Sequence, residues 1–147
     1  MASDAPRPLG TDRMDAVVNA RPVKQVIVIR RDLNMRRGKE IAQGAHASSG
    51  WLAIRMTHAA MTGRAPSLTP AQRQWLADGW RKVTLQVRTE EELMELREKA
   101  VAAGLEPYLV TDAGHTEFGG VPTVTALAIG PDYDDLIDPI TRGLTLY

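Results

Sequence analysis

Four consecutive apolar residues, Val26, Ile27, Val28 and Ile29, constrain the fold more than any other stretch of this chain. Side chains of a strand alternate between the two faces of a sheet, so a run with no polar member has to be covered on both sides. The run is short, β-branched and framed by Lys24 and Arg30, which marks a strand rather than a long helix. Helices on both faces are then required, and 147 residues suffice for one domain of that kind.

The rest of the chain supplies them. After a loop over Arg31 to Gly38, a helix is predicted to about Met61, with Gly63 ending it. Thr69-Pro70-Ala71-Gln72 has the form of a capping box with proline at the first helical position, opening a short helix to Asp78. Trp75 and Trp80 read there as packing residues. Lys82 to Arg88 alternates as a half-buried strand. Thr89-Glu90-Glu91-Glu92 opens a helix that buries Leu93, Leu96 and Ala100 and stops at Gly104. Strands follow at Glu106 to Thr111 and at Thr123 to Ile129, the second broken by Gly130-Pro131. A short helical turn within Asp132 to Ile140 and a small terminal strand at Leu144 to Tyr147 complete the pattern. The expected fold is an α/β sandwich of three layers, a small sheet between helices. Residues 1–21, with Pro6, Pro8 and Gly10, read as a mobile arm before a domain spanning 22–147.

The long helix opens against a local rule. Arg36, Arg37 and Lys39 lie at its start, where the helix dipole is positive and favours anions. Such a concentration of cations makes sense if an anion is meant to come there, as exposed N–H groups at a helix start already bind phosphate. Lys39, Gln43, His46 and Gly50 share one stripe. Ile41, Ala45, Ser49, Leu52, Met56 and Ala59 share another, which is expected to face the core. Gly44 and Gly50 each weaken the helix by about 1 kcal/mol relative to alanine, and are expected to let another segment approach.

Charge and composition narrow the partners. The formal net charge is zero, against a general coater of nucleic acid. The charges are nevertheless segregated. Arg21, Lys24, Arg30, Arg31, Arg36, Arg37 and Lys39 face one anion, Asp32, in their segment, whereas Gly130 to Asp138 holds four aspartates and no cation. The expectation is a bipolar molecule whose basic end grips a phosphate backbone. Cysteine is absent, which rules out disulfides and thiol chemistry and suits a reducing, cytoplasmic setting. No apolar run approaches the roughly 20 residues of a membrane span, and no signal-peptide core is visible.

Sites on an open α/β sheet collect where loops leave strand ends. Two loops qualify: the one before the long helix, and the glycine-rich Asp112 to Pro122. Asp112 directly follows a strand, and His115 and Thr116 come next. Thr123 and Thr125 share one face of the last long strand. If the second loop lies beside Lys39 and His46, the site combines a carboxylate, an ammonium, imidazoles and hydroxyls. That set suffices for hydrolysis, with a group to position water and donors for the developing oxyanion. His46, His58 and His115 have no metal-ligand spacing, and no nucleotide-loop or nucleophile-elbow motif occurs, so neither metal nor cofactor is expected.

The block Asp32-Leu33-Asn34-Met35-Arg36-Arg37-Gly38-Lys39-Glu40-Ile41-Ala42-Gln43-Gly44-Ala45-His46-Ala47 resembles the signature of the second-class, archaeo-eukaryotic peptidyl-tRNA hydrolases. So do Asp112-Ala113-Gly114-His115-Thr116-Glu117 and Thr123 to Pro131, in the family order, within a likeness running from Lys24 to Leu146. The resemblance implies a mixed four-stranded sheet and metal-free hydrolysis of the ester joining a peptide, or an N-blocked aminoacyl group, to the 3′ end of tRNA. Lys39, Asp112 and Thr116 then carry catalysis: Asp112 orients or deprotonates water, and Lys39 and Thr116 stabilise the oxyanion or hold the ester. Arg36, Arg37, Gln43, His46, His115 and Thr125 serve the substrate, with Gln43 and His46 positioning the 3′ end. The resemblance also allows a homodimer. Asn34 stands where the family usually has glycine, Gly44 lies near a usual cysteine position, His115 replaces an arginine, and Phe118 to Pro122 is one residue longer. Two other readings follow from these residues: an RNA-binding adaptor with weak catalysis, and a hydrolase or transferase of another aminoacyl or peptidyl ester.

Overall fold

The computed structural model describes residues 21–147. The arm expected over 1–21 lies outside them except for Arg21. The elements are β1 (Val23–Arg30), α1 (Arg37–Thr62), α2 (Pro70–Ala77), β2 (Lys82–Val87), α3 (Glu90–Ala102), β3 (Pro107–Asp112), β4 (Thr123–Tyr133), α4 (Asp134–Thr141) and β5 (Thr145–Leu146). The sheet order is β3-β4-β1-β2-β5, with β1 and β2 parallel and the other pairs antiparallel. It is mixed, as expected, with the two-residue β5 as a fifth strand beyond the four implied by the resemblance.

The apolar run sits where its composition demands. Val26 and Val28 point into a core with Leu93, Leu96 and Ala100 of α3 and Ile137 of α4. Ile27 and Ile29 point the other way, into a core with Ala47 of α1 and Ala126 and Ala128 of β4. The α1 face continues into Trp51, Ala71 and Trp75, the two indoles meeting edge to face with centroids 6.4 Å apart. Trp80 departs from the packing expectation: it is exposed, in a left-handed backbone conformation, with its indole N–H donated to the Leu76 carbonyl.

Helix α1 turns a different face to the sheet than its aliphatic residues suggest. Ile41 is 66% exposed and Met56 52%, whereas Gln43, Ala47, Gly50 and Trp51 are buried. The cause lies in the facing surface. Ala126 and Ala128 bring the sheet close to α1, and the Tyr108 ring lies so near Gly50 that a Cβ there would come within 2.0 Å of it. Small side chains and one hydrogen-bonded amide fit that interface, and the bulkier aliphatic stripe is left outside. Gly50 thus admits a close neighbour; Gly44 has nothing within 4 Å of a Cβ position.

Two boundaries also differ. Strand β4 does not stop at Gly130-Pro131 but continues through a cis peptide to Tyr133, held by pairing of Lys24 with Asp132 and Val23 with Tyr133. The expected turn after it is an eight-residue helix, α4. At α2 the predicted box is complete, with Thr69 Oγ1 and Gln72 Oε1 each accepting the other residue's N–H. At α3, Thr89 caps Glu92, but the Glu92 carboxylate reaches past it to the Arg88 N–H.

The segregated charges do not form separate ends. Arg21 and Lys24 pair with Asp135 and Asp138, so the basic and acidic segments dock on one another across β1 and α4. Arg30 is buried between Asp32, Glu90 and the Val124 carbonyl, and its pKa is raised, chiefly by Asp32. The bipolar expectation fails because residues distant in sequence neutralise each other in space.

Candidate active site

The two loops singled out by sequence meet at the end of the sheet beside the first turns of α1. Lys39 Nζ donates to Asp112 Oδ1 at 2.6 Å and to Thr116 Oγ1 at 3.0 Å. Gln43 Nε2 donates to the same Asp112 oxygen at 3.2 Å, and the Gly114 N–H donates to Asp112 Oδ2 at 2.8 Å. Thr125, fully buried on β4, donates its hydroxyl proton to Gln43 Oε1. This fixes which way the Gln43 amide faces: its oxygen is occupied, so its NH2 must turn to Asp112.

Each position follows from a local cause. Asp112 ends β3, and Thr116 follows a tight turn at Gly114. Gly114 has φ +82°, and a Cβ on it would lie 2.2 Å from the Val121 carbonyl oxygen, so the turn requires glycine. The Gly120 N–H closes the loop onto the Gly114 carbonyl, and Val121 bonds to Phe118. Phe118 in turn packs against the α1-side core, its ring centroid 5.6 Å from Lys39 Nζ. On the other side, Asn34 holds a left-handed conformation, φ 46°, in the loop before α1, which a glycine would adopt freely.

The electrostatics of the cluster are set by the Lys39–Asp112 pair. The hydrogen bond from Lys39 holds the Asp112 carboxyl below its ordinary pKa against the opposing effect of desolvation, and Gly114 and Gln43 act in the same direction. Asp112 is therefore an anion with three of its acceptor sites filled, a firm orienting group and a weak proton acceptor. Lys39 retains a third N–H beyond those given to Asp112 and Thr116, and Thr116 still has its own proton to donate.

The remaining predicted residues surround this centre unevenly. His46 lines a groove of about 430 Å³ that runs from Gln43 and Asp112 between α1 and β3. His115 is exposed on the loop beside Thr116. Arg36 bonds through Nε to Glu117 at 2.7 Å, and Glu117 also accepts the Arg36 backbone N–H. Arg36 is the first contributor to the lowered pKa of Glu117. An anion does sit at the α1 N-terminus, and it is the protein's own carboxylate. Glu117 was missed by sequence reasoning; its place in the Asp112 loop, opposite three cations, was the available signal. Arg37 lies elsewhere, lining a separate groove with Ile27, Ile41 and Tyr147. Among the described residues no three His, Cys, Asp or Glu side chains gather as metal ligands, and no helix is long and apolar enough to cross a membrane.

The family model described as peptidyl-tRNA hydrolase PTH2 matches residues 23–147. A peptidyl-tRNA hydrolase of Methanopyrus kandleri is 45% identical over 123 residues, covering 84% of this chain and 97% of that protein. One from Methanocaldococcus jannaschii is 40% identical over 124 residues, covering 84% and 99%. A probable peptidyl-tRNA hydrolase 2 of Dictyostelium discoideum is 41% identical over 127 residues; the match takes in 84% of this chain but only about half, 54%, of that longer protein. Among solved structures, a protein of unknown function from Agrobacterium tumefaciens shares the fold with a TM-score of 0.51 at 14% identity, over 85% of this chain and 97% of that one. The family match takes in both the helix that carries Lys39 and the loop that carries Asp112, and on its extent the chain belongs to the peptidyl-tRNA hydrolase PTH2 family.

Proposed function

We propose that this peptidyl-tRNA hydrolase cleaves the ester between the acyl group and the tRNA 3′ end at the Lys39–Asp112–Thr116 cluster. The observation that carries the reading is the convergence of an ammonium, a carboxylate and a hydroxyl from α1 and the Asp112 loop on one point. The ester carbonyl lies against the free N–H of Lys39, which stabilises the tetrahedral oxyanion. Asp112, held ionised, orients the attacking water through its remaining acceptor site. Its lowered pKa supports this role over full deprotonation of that water. Thr116 donates its hydroxyl to the oxyanion or to the departing 3′ oxygen. The carbonyl carbon gains the water oxygen, and the carbon–oxygen bond to the ribose breaks. The departing 3′ oxygen takes the Thr116 hydroxyl proton, and the proton shed by the attacking water replaces it on Thr116.

Gln43 and Thr125 act as positioning residues, since both are buried and bonded to one another. His115 flanks the cluster and contacts the 3′ end, and His46 stands at the mouth of its groove, where the acyl group joins the 3′ end. The exposed cations at the start of α1 meet acceptor-stem phosphates, with Arg37 on the far flank. The setting is the cytoplasm, where tRNA from aborted translation is recycled. A homodimer would cover the aliphatic stripe that α1 leaves exposed at Ile41 and Met56, and light scattering at micromolar concentration measures it.

The test is release of the acyl group from N-acetyl-aminoacyl-tRNA by wild type, Asp112→Asn and Lys39→Ala. Loss of 10²-fold or more in kcat with little change in KM is expected for both. Two folded variants with full kcat/KM would remove the assignment.

A further inference from the structure

The groove that starts at the cluster does not end there. Its wall of Gln43, His46, Ser49, Gly50 and Ala53 faces β3 from Tyr108 to Asp112 and the following Ala113. A second groove of about 490 Å³ takes over at Tyr108 and continues between Trp51, Ile54 and His58 of α1 and Pro107, to Arg55 and Glu106. Tyr108 lines both, its ring laid on Gly50, so the two form one trench with a tyrosine floor. From Gln43 to His58 the helix rises about 22 Å. An extended peptide of about six or seven residues has that length.

The opposite wall is an open sheet edge. β3 is the terminal strand and pairs only with β4. The Gly130 N–H donates to the Glu106 carbonyl, so the 106/130 pair faces inward. Alternation along the ladder then turns the N–H and C=O of Leu109 outward, together with the Pro107 carbonyl. Open edges are usually blunted by charge, yet Tyr108 to Thr111 carries none. An unprotected edge that runs away from a hydrolytic centre is suited to main-chain pairing with a bound strand.

We propose that the α1/β3 trench holds the peptidyl part of the substrate as an added strand on the open edge of β3, with its C-terminal ester at Lys39 and Asp112. The proposal rests on the reading of that cluster as the hydrolytic site. Pairing through main-chain groups accepts any sequence, which a substrate made of arbitrary nascent peptides requires. The apolar length at Tyr108 and Trp51 adds contact without selecting side chains.

Two substrates on one tRNA test it: an N-acetyl-aminoacyl ester and an N-acetyl-hexapeptidyl ester with the same C-terminal residue. Hydrolysis of the short substrate checks the catalytic reading by itself. Wild type should favour the hexapeptide in kcat/KM by about tenfold, the worth of two net hydrogen bonds. Ala53→Arg, an exposed position on the trench wall, should abolish that preference and leave the short substrate unchanged. Ser49→Arg, one turn earlier, is an independent block. Methylating alternate amide nitrogens of the hexapeptide should also remove the preference in wild type. Equal losses on both substrates would mean that the trench holds the RNA end, and would overturn the proposal. So would the absence of any length preference, or a preference that survives N-methylation.

Discussion

Thr125 has no solvent exposure, and its single hydroxyl decides the orientation of Gln43 and, through it, one of the bonds on Asp112. Thr125→Val keeps the shape and removes the donor. The Gln43 carbonyl oxygen is then buried without a partner, at a cost of about 1–3 kcal/mol in a denaturant titration. The freed amide can turn over, and kcat should fall about tenfold with KM nearly unchanged. The pH behaviour of Asp112 follows from its lowered pKa. A carboxyl more acidic in the folded protein than in the unfolded chain adds stability above the unfolded value of about 3.9. That stability is lost as pH falls through the lower folded value. Asp112→Asn should therefore flatten the acid side of the melting-temperature curve below about pH 4 and lower the melting temperature by a pH-independent amount across pH 6 to 8, where the wild-type stabilisation is fully present. Lys39, Asp112 and Thr116 were among the candidates in the sequence because chemistry-bearing residue types stood at the ends of elements, and the family resemblance narrowed the choice to these three. Glu117 and Gly114 could not, since a carboxylate at a helix start and a backbone N–H on Asp112 exist only after the loop closes.

At the scale of elements, α1 is the part whose existence was plain and whose orientation was not. Its limits follow from the loop before it and the left-handed Gly63 cap. Its buried face follows from what it meets: two alanines of β4, a tyrosine ring from β3 and the Gln43 bonds. Helical periodicity counts aliphatic residues and carries no information about the shape of the facing surface. Gly50→Ala tests that shape directly, because the added methyl must displace the Tyr108 ring. Overpacking of this kind should cost about 1–3 kcal/mol in thermal or denaturant unfolding, whereas Gly44→Ala, with open space around it, should be neutral or stabilising.

Over the whole molecule, the charge segregation visible in sequence is largely cancelled. Arg21, Lys24, Arg30 and Lys39 are each paired with carboxylates, and Arg36 with Glu117. Arg31 is paired with Glu40 as well, so of the seven cations Arg37 alone has no carboxylate partner among the described residues. The contact expected with tRNA phosphates falls to it and to the exposed Arg31 and Arg36, whose pairs a phosphate must displace. The salt dependence of tRNA binding should accordingly be shallow, a slope of about −3 in log K against log salt rather than the steep value seven free cations would produce. Filter binding between low and moderate salt measures it, and a steep slope would place the phosphate contacts elsewhere.

Local order was enough to determine the strands, the helices, their capping residues and the need for a sheet covered on both sides, because propensity, capping and alternation act between near neighbours. The two places that supply the candidate groups, the start of α1 and the loop after β3, were legible for the same reason, as they adjoin element ends. Only the tertiary structure decided which face of α1 is buried, that β4 runs on past Gly130-Pro131, and that the basic and acidic segments meet. It also decided that Lys39, Gln43, Asp112, Thr116 and Thr125 join in one hydrogen-bonded network. These depend on contacts between residues 58 to 114 positions apart, from Gly50 with Tyr108 to Lys24 with Asp138, set by close packing and long-range pairing of charge, which no local pattern encodes.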